Sequence, residues 1–200
     1  VRFPYQPGQT RITAPAQEMT KLPSRINHHW TKAMTASADG QTLYVGIGSN
    51  SNIAERGMAV EEQRAVVWAI DRETGARRTV ATGLRNPTAL AIEPQSSALW
   101  AVVNERDEIG PQASPDYLTS VREGAFYGWP YSYWGQNEDP RVRPQKPELV
   151  ARAVLPDYAL GSHVAPLGLS FATNGGFGGG FSQGAFIGEQ GKPCSQPNCI

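Results

Sequence analysis

The chain has 200 residues, and its 18 Lys plus Arg balance 18 Asp plus Glu, so the formal net charge is zero. That balance excludes the broadly positive surface of a general nucleic-acid or polybasic membrane binder. Hydrophobic residues make up 40%, with 21 Gly and 16 Pro, a composition rich in turns, too apolar for disorder, and lacking the run of about 18 apolar residues a membrane helix needs.

The chain begins at Val1 without a basic-then-apolar leader pattern, which reads as one piece of a larger protein. From there the pattern is short apolar runs closed by Gly, Pro, Asn or Asp. Residues 42–48 (TLYVGIG), 65–71 (AVVWAID), 79–82, 89–92 and 98–103 (ALWAVV) read as strands. Residues 59–64 have helical spacing but are too short to stand as a helix alone. Between Asp71 and Arg78, DRETGARR reads as a hairpin turn with Gly75 where positive φ is required.

These strands recur. Met34 and the residues after it match Leu90 and the residues after it at a constant offset of 56, so that Leu43 meets Leu99 and Tyr44 meets Trp100. A looser third copy runs from Leu169 to Gly188, and its offset of 79 from Leu90 places an insertion in the second unit. Units of roughly 40–55 residues with four short strands are the signature of β-propeller blades. The expected fold is therefore all-β, a β-propeller with about three blades present, in units 26–82, 83–160 with the insertion, and 161–191. Residues 192–200 form a divergent tail. A complete β-sandwich or open sheet is the competing architecture.

In a propeller the loops entering the innermost strands gather at one mouth of the central channel. Those loops carry His28 and His29, then Arg85-Asn86-Pro87, then His163. A neutral imidazole is the usual base near neutral pH, and Arg is a planar clamp for carboxylates. The set suits an anionic ligand beside a proton acceptor. Turn-stabilising histidines that bond only the backbone are the plainer alternative.

Residues 104–110 (NERDEIG) concentrate acids directly after a strand. Oxygen-rich clusters suit Ca²⁺, whereas a solvated acidic turn accounts for the same composition. Residues 126–135 (FYGWPYSYWG) hold six aromatics broken by Gly and Pro. They read either as packing between blades, above all at Trp129, or as flat surfaces for a sugar or cofactor ring, above all at Tyr133 and Trp134. Cys194 and Cys199, in the tail, are the only cysteines, so no disulfide staples the body of the chain. No phosphate-binding loop, zinc-protease helix or serine nucleophile elbow is found.

The strings HHWTKAMTASADGQTLYVGIGSNSN, GLRNP, NERDEIG, GAFYGWPYSYWG and GSHVAPLGLSF resemble the soluble quinoprotein sugar dehydrogenases. The L-sorbosone dehydrogenase-like branch is similar, as are the pyranose dehydrogenases. The resemblance covers most of residues 26–189 and stops near Gly191, where the tail departs from the family's pattern. It implies a six-bladed propeller in the complete protein, with pyrroloquinoline quinone (PQQ) and Ca²⁺ at the channel mouth. It implies His29 as catalytic base, Arg85, Asn86 and His163 as cofactor contacts, and Glu105, Asp107 and Glu108 in a metal segment whose oxygens come largely from backbone carbonyls, with Asp107 and Glu108 the side chains that fit best. The implied reaction is hydride transfer from a sugar or aldehyde to the quinone, with a cytochrome or quinone as onward electron acceptor. A periplasmic or secreted location follows from the same resemblance. A calcium-dependent propeller lactonase and a non-catalytic propeller that binds through its rim are the alternatives from other classes.

Overall fold

Runs of β-branched and aromatic residues set the strands of this protein. The computed structural model describes residues 1–24, 28–30, 32–110, 113–172 and 182–191. The expected feature in the tail, with Cys194 and Cys199, and the Gly-rich stretch at 174–180 lie outside the described residues.

The first unit is a four-stranded antiparallel meander in the order β1 (Lys32–Ala36), β2 (Thr42–Ile47), β3 (Val66–Asp71) and β4 (Arg77–Thr82). The second places β5 (Asn86–Ile92), β6 (Leu99–Asn104) and β7 (Asp116–Ser120) side by side, and completes the sheet with β10 (Tyr158–Gly161). Between β7 and β10 the insertion carries the two-residue strands β8 (Ser132–Tyr133) and β9 (Asn137–Glu138) and one helical turn, α1 (Pro147–Val150). A third unit begins with the pair β11 (Pro166–Phe171) and β12 (Ala185–Glu189). The helical spacing at 59–64 becomes only a single 3₁₀ turn over Met58–Glu61. The hairpin after Asp71 forms as expected, with Gly75 at φ +71°.

The repeat holds at the level of register. Met34 pairs with Val45 and Ala36 with Leu43 in the first sheet. Leu90 pairs with Ala101 and Ile92 with Leu99 in the second, the same partners moved by 56 positions. Strands β1, β5 and β11 pack next to one another, as the innermost strands of adjacent propeller blades do.

Two-residue alternation sorts the strands into two cores. Val67 and Ala69 of β3 face the second sheet and join Leu90, Leu99, Ala101, Val103 and Tyr117 in the seam between blades. Val66, Trp68 and Ile70 face the other way and pack with Val45, Ile47 and Leu22. The N-terminal segment lies over that second face. Arg77 stacks over Trp68 at 4.2 Å and donates to the Lys21 carbonyl, and a Cβ on Gly75 would run into the Met19 carbonyl.

The insertion covers the outer edge of the first blade. Thr82 N–H donates to the Ala125 carbonyl at 3.0 Å, and Tyr127 N–H donates back to the Thr82 carbonyl at 2.9 Å. An edge that would otherwise present unpaired backbone groups is thereby closed. Tyr127 is fully buried and its hydroxyl donates to the Ser120 carbonyl. The start of the aromatic segment is thus blade packing.

Candidate functional site

Strand direction decides which loops meet. In a meander, the segment entering the inner strand and the loop joining the second strand to the third lie at the same end of the blade. His29, the 48–65 loop, Arg85, the 105–115 loop and the loop before β11 therefore share one end. The hydrogen bonds confirm it. Ser49 N–H donates to the Arg85 carbonyl at 2.8 Å, joining the end of β2 to the start of β5. The Asp116 carboxylate accepts from the Glu105 N–H at 2.8 Å and the Ala165 N–H at 2.9 Å, joining the acidic loop to the loop that carries His163.

His29 is half-buried, and its Nδ1 lies 3.0 Å from both the carbonyl and the Oγ of Ser49. The carbonyl can only accept. The hydroxyl gives its own proton to the Ser51 carbonyl at 2.6 Å, so it too accepts from the ring. Nδ1 therefore carries the hydrogen, and Nε2 keeps its lone pair. Burial, followed by the positive charge of Arg85 and the His28 ring, pushes the His29 pKa down to about 3. The imidazole is neutral across the physiological range.

Asn86 stands beside it. Gly48 has no side chain because none fits: a Cβ there would collide with Asn86 Oδ1 and His29 Cβ. Asn86 is buried, yet its Oδ1 has no hydrogen-bond partner. A buried polar atom left open at a loop cluster is the type of group a ligand satisfies.

Arg85 is placed differently from the expected anion clamp. It is 2% exposed, and its donors point into the protein. It reaches the Asn52 carbonyl and Oδ1 at 3.2 and 3.0 Å, the Glu105 carbonyl at 2.6 Å and Asp107 Oδ2 at 3.1 Å. Its geometry is that of a buried cation holding three loops together. Asp107 in turn reaches His163, with Oδ1 3.3 Å from Nδ1, and His163 sits in the left-handed region at φ +61°.

The three acids of the expected metal segment turn their side chains in different directions. Glu105 is buried and directs Oε1 to the Arg106 N–H at 2.9 Å. Asp107 is engaged by Arg85 and His163, and Glu108 turns outward onto Arg141 at 3.1 Å. Among the described residues no three His, Cys, Asp or Glu gather as a metal site. The chain turns between these positions, with Glu108 at φ +67°, so neighbours in sequence diverge in space. Burial also raises the Glu105 pKa, to about 8, against the opposing pull of Arg85.

Sequence reasoning passed over four residues that build this end of the molecule. Asn52 accepts from Arg85, from the Asp107 N–H and from Trp129 Nε1, and donates to the Asp107 carbonyl. Glu61 accepts from the Asn50 N–H at 2.6 Å and from the Ser51 hydroxyl, fixing the loop that holds His29. Arg106 and Asp139 form a buried ion pair at 2.9 Å. The signal for Asn52 was present in GSNSN, a polar run directly after an apolar strand. Nothing local marked the partners of Glu61 or Arg106.

Comparison with known proteins places this geometry. The TrAA12-like family pattern matches residues 1–145. Aldose sugar dehydrogenase YliI of Escherichia coli is 34% identical over 102 residues, covering 50% of this chain and 26% of the relative. A calcium structure of the Trichoderma reesei Carbohydrate-Active Enzymes Family AA12 protein aligns with a TM-score of 0.64 at 20% identity, over 74% of this chain and 47% of that one. The holo form of the pyranose dehydrogenase PQQ domain from Coprinopsis cinerea aligns with a TM-score of 0.62 at 19% identity, over 74% of this chain and 46% of that one. The chain thus spans less than half the length of these relatives. The all-β propeller fold is shared with them.

Proposed function

Because the chain belongs to the TrAA12-like family, we propose that it forms part of a quinoprotein dehydrogenase that oxidises a sugar or an aldehyde such as a glucose- or sorbosone-like substrate, with His29 as the base. The observation that carries this reading is the His29 tautomer. Ser49 holds Nδ1–H, so Nε2 is a lone pair on a neutral ring, beside the open Oδ1 of Asn86 and the buried charge of Arg85.

The residues at this end fit a quinone better than they fit a calcium ion. The unpartnered Oδ1 of Asn86 is an acceptor suited to an N–H of the cofactor, and no side-chain oxygen set for calcium comes together among the described residues. Asn86 would hold PQQ from this half of the pocket, with His163 at its edge. The quinone, when bound, supplies the hydride acceptor. His29 accepts the substrate hydroxyl proton at Nε2. Arg85 acts through position and field: it fixes Asn52 and Asp107, and its charge favours negative charge developing nearby. Calcium remains part of the proposal through the family alone, with backbone oxygens as its ligands. The onward acceptor is a cytochrome or quinone, and the location periplasmic or secreted. No helix among the described residues is long and apolar enough to cross a membrane.

The test is reconstitution of the intact protein with PQQ and Ca²⁺, following quinone absorbance and dye reduction with aldoses and L-sorbosone. His29→Ala is expected to bind the quinone and lose turnover by 10²–10⁴-fold. Because the His29 pKa is low, the wild-type rate should show no loss from protonation of this base between about pH 5 and 7. Full turnover in His29→Ala, or absence of quinone binding in the intact protein, would overturn the reading.

A further inference from the structure

Two cavities lie where the 48–65 loop meets the insertion, and His29, Arg85 and Asn86 line neither. The first, about 580 Å³, runs between residues 53–58 and 141–146. The second, about 480 Å³, passes Phe126 and Trp129. Met58, Tyr131 and Lys146 line both, so the two are lobes of one cleft. Each lobe is within the roughly 300–1,000 Å³ of ligand pockets.

The walls are apolar and the rim is cationic. Arg141, Arg143 and Lys146 border the first lobe, and Lys146 and Arg152 the second. The acids that line the cleft are committed to the backbone. Glu55 accepts from the Asn52 and Ile53 N–H groups, and Glu61 from Asn50. Arg141 is paired with Glu108 at 3.1 Å, and the other cations are freer. Arg143 donates to the Val142 carbonyl at 2.8 Å, and its approach to a carboxylate, that of Glu138, is long at 3.8 Å. Lys146 lies 5.6 Å over the Tyr131 ring, with no carboxylate within 4 Å among the described residues. Arg152 makes no side-chain ion pair among them. Apolar walls with unneutralised cations at the rim select a ligand that offers a ring face and a carboxylate.

We propose that this cleft is a second binding site, for an acidic oligosaccharide, with one uronate unit in each lobe and Lys146 shared between their carboxylates. Two adjoining lobes divided by one aromatic residue match two linked rings better than a single aromatic acid. The choice of a sugar rests on the proposed dehydrogenase reading, and the charge preference rests on the cleft alone.

Calorimetric titration of the intact protein with digalacturonate tests it, with cellobiose, benzoate and inorganic phosphate as comparators. Digalacturonate is expected to bind the wild type and His29→Ala equally, so loss of the catalytic reading and loss of this one are told apart. Lys146→Gln with Arg143→Gln should weaken it tenfold or more, and added salt should weaken it further. Both side chains are exposed, and the melting temperature of the variant should match that of the wild type. Equal binding of any comparator, unchanged binding in the double variant, or no binding of digalacturonate to the wild type would overturn the proposal.

Discussion

The two four-stranded sheets share a register and differ in how their loops are fixed. In the first, the loop after β2 is held by Glu61 through backbone and hydroxyl donors. In the second, the loop after β6 is held by an ion pair between Arg106 and Asp139, a residue of the insertion, with side chains 2% and 1% exposed. The strands carry the repeat, and each blade then solves its loop separately. The first solution is local, over eleven positions, whereas the second couples the acidic loop to a distant insertion.

That difference has its largest expected consequence at Arg106. Arg106→Met leaves the Asp139 carboxylate buried without its cation, which costs about 3–5 kcal/mol. Arg106→Met with Asp139→Leu should recover most of the loss, because an apolar pair needs no counter-charge. Urea denaturation of the intact protein measures both. A single variant that loses less than about 1 kcal/mol would mean that water or another group serves Asp139.

The second blade should also lose stability as the pH rises. Burial raises the Glu105 pKa to about 8 from its ordinary value of 4.5, and it raises Asp116 in the same direction. Between those two pH values the native state holds a proton that the unfolded chain has released. Stability from Glu105 is therefore complete below about pH 4.5 and falls as the pH rises to about 8. The loss is on the order of a few kcal/mol. Glu105→Gln should flatten this slope in melting temperature against pH, and an unchanged slope would assign it to other groups. His29, with its lowered pKa, acts oppositely: it withdraws stability as the pH falls below about 6.5.

Between the blades the expected effect is intermediate. Gly48→Ala forces a methyl into Asn86 Oδ1 and His29 Cβ, and overpacking of this kind costs about 1–3 kcal/mol. It should also displace His29, so turnover should fall further than stability does. Equal losses in both would place His29 outside the chemistry.

How much of this could be read from sequence follows from the range of each interaction. The blade repeat was legible because strand register depends on side chains one or two positions apart, and the 56-residue offset survives in the pairing. Gly75 was legible because its turn is local. The clustering of His29, Arg85 and Asn86 followed from strand direction. What Arg85 does there did not, since its partners Asn52 and Asp107 are 33 and 22 positions away. The separate partners of the acids at 105, 107 and 108 were not legible for the complementary reason: adjacency in sequence is no guide to convergence where the backbone turns. The closing strand β10 lay hidden behind the insertion, with only four residues of exposed and half-buried character.

The smallest expected effect sharpens the contrast between buried and exposed ties to the insertion. Arg78 of β4 and Glu123 approach at 2.5 Å, but their side chains are 57% and 64% exposed. Water screens the pair, and ordering two long side chains offsets most of the gain. The same contact line is held by backbone bonds, from Gly124 N–H to the Val80 carbonyl at 2.7 Å and between Thr82 and its neighbours Ala125 and Tyr127. Arg78→Ala should therefore change stability by less than about 1 kcal/mol, and raising the salt concentration should erase even that. A loss as large as that of Arg106→Met would show that the insertion is held to the first blade by charge and not by its backbone ladder.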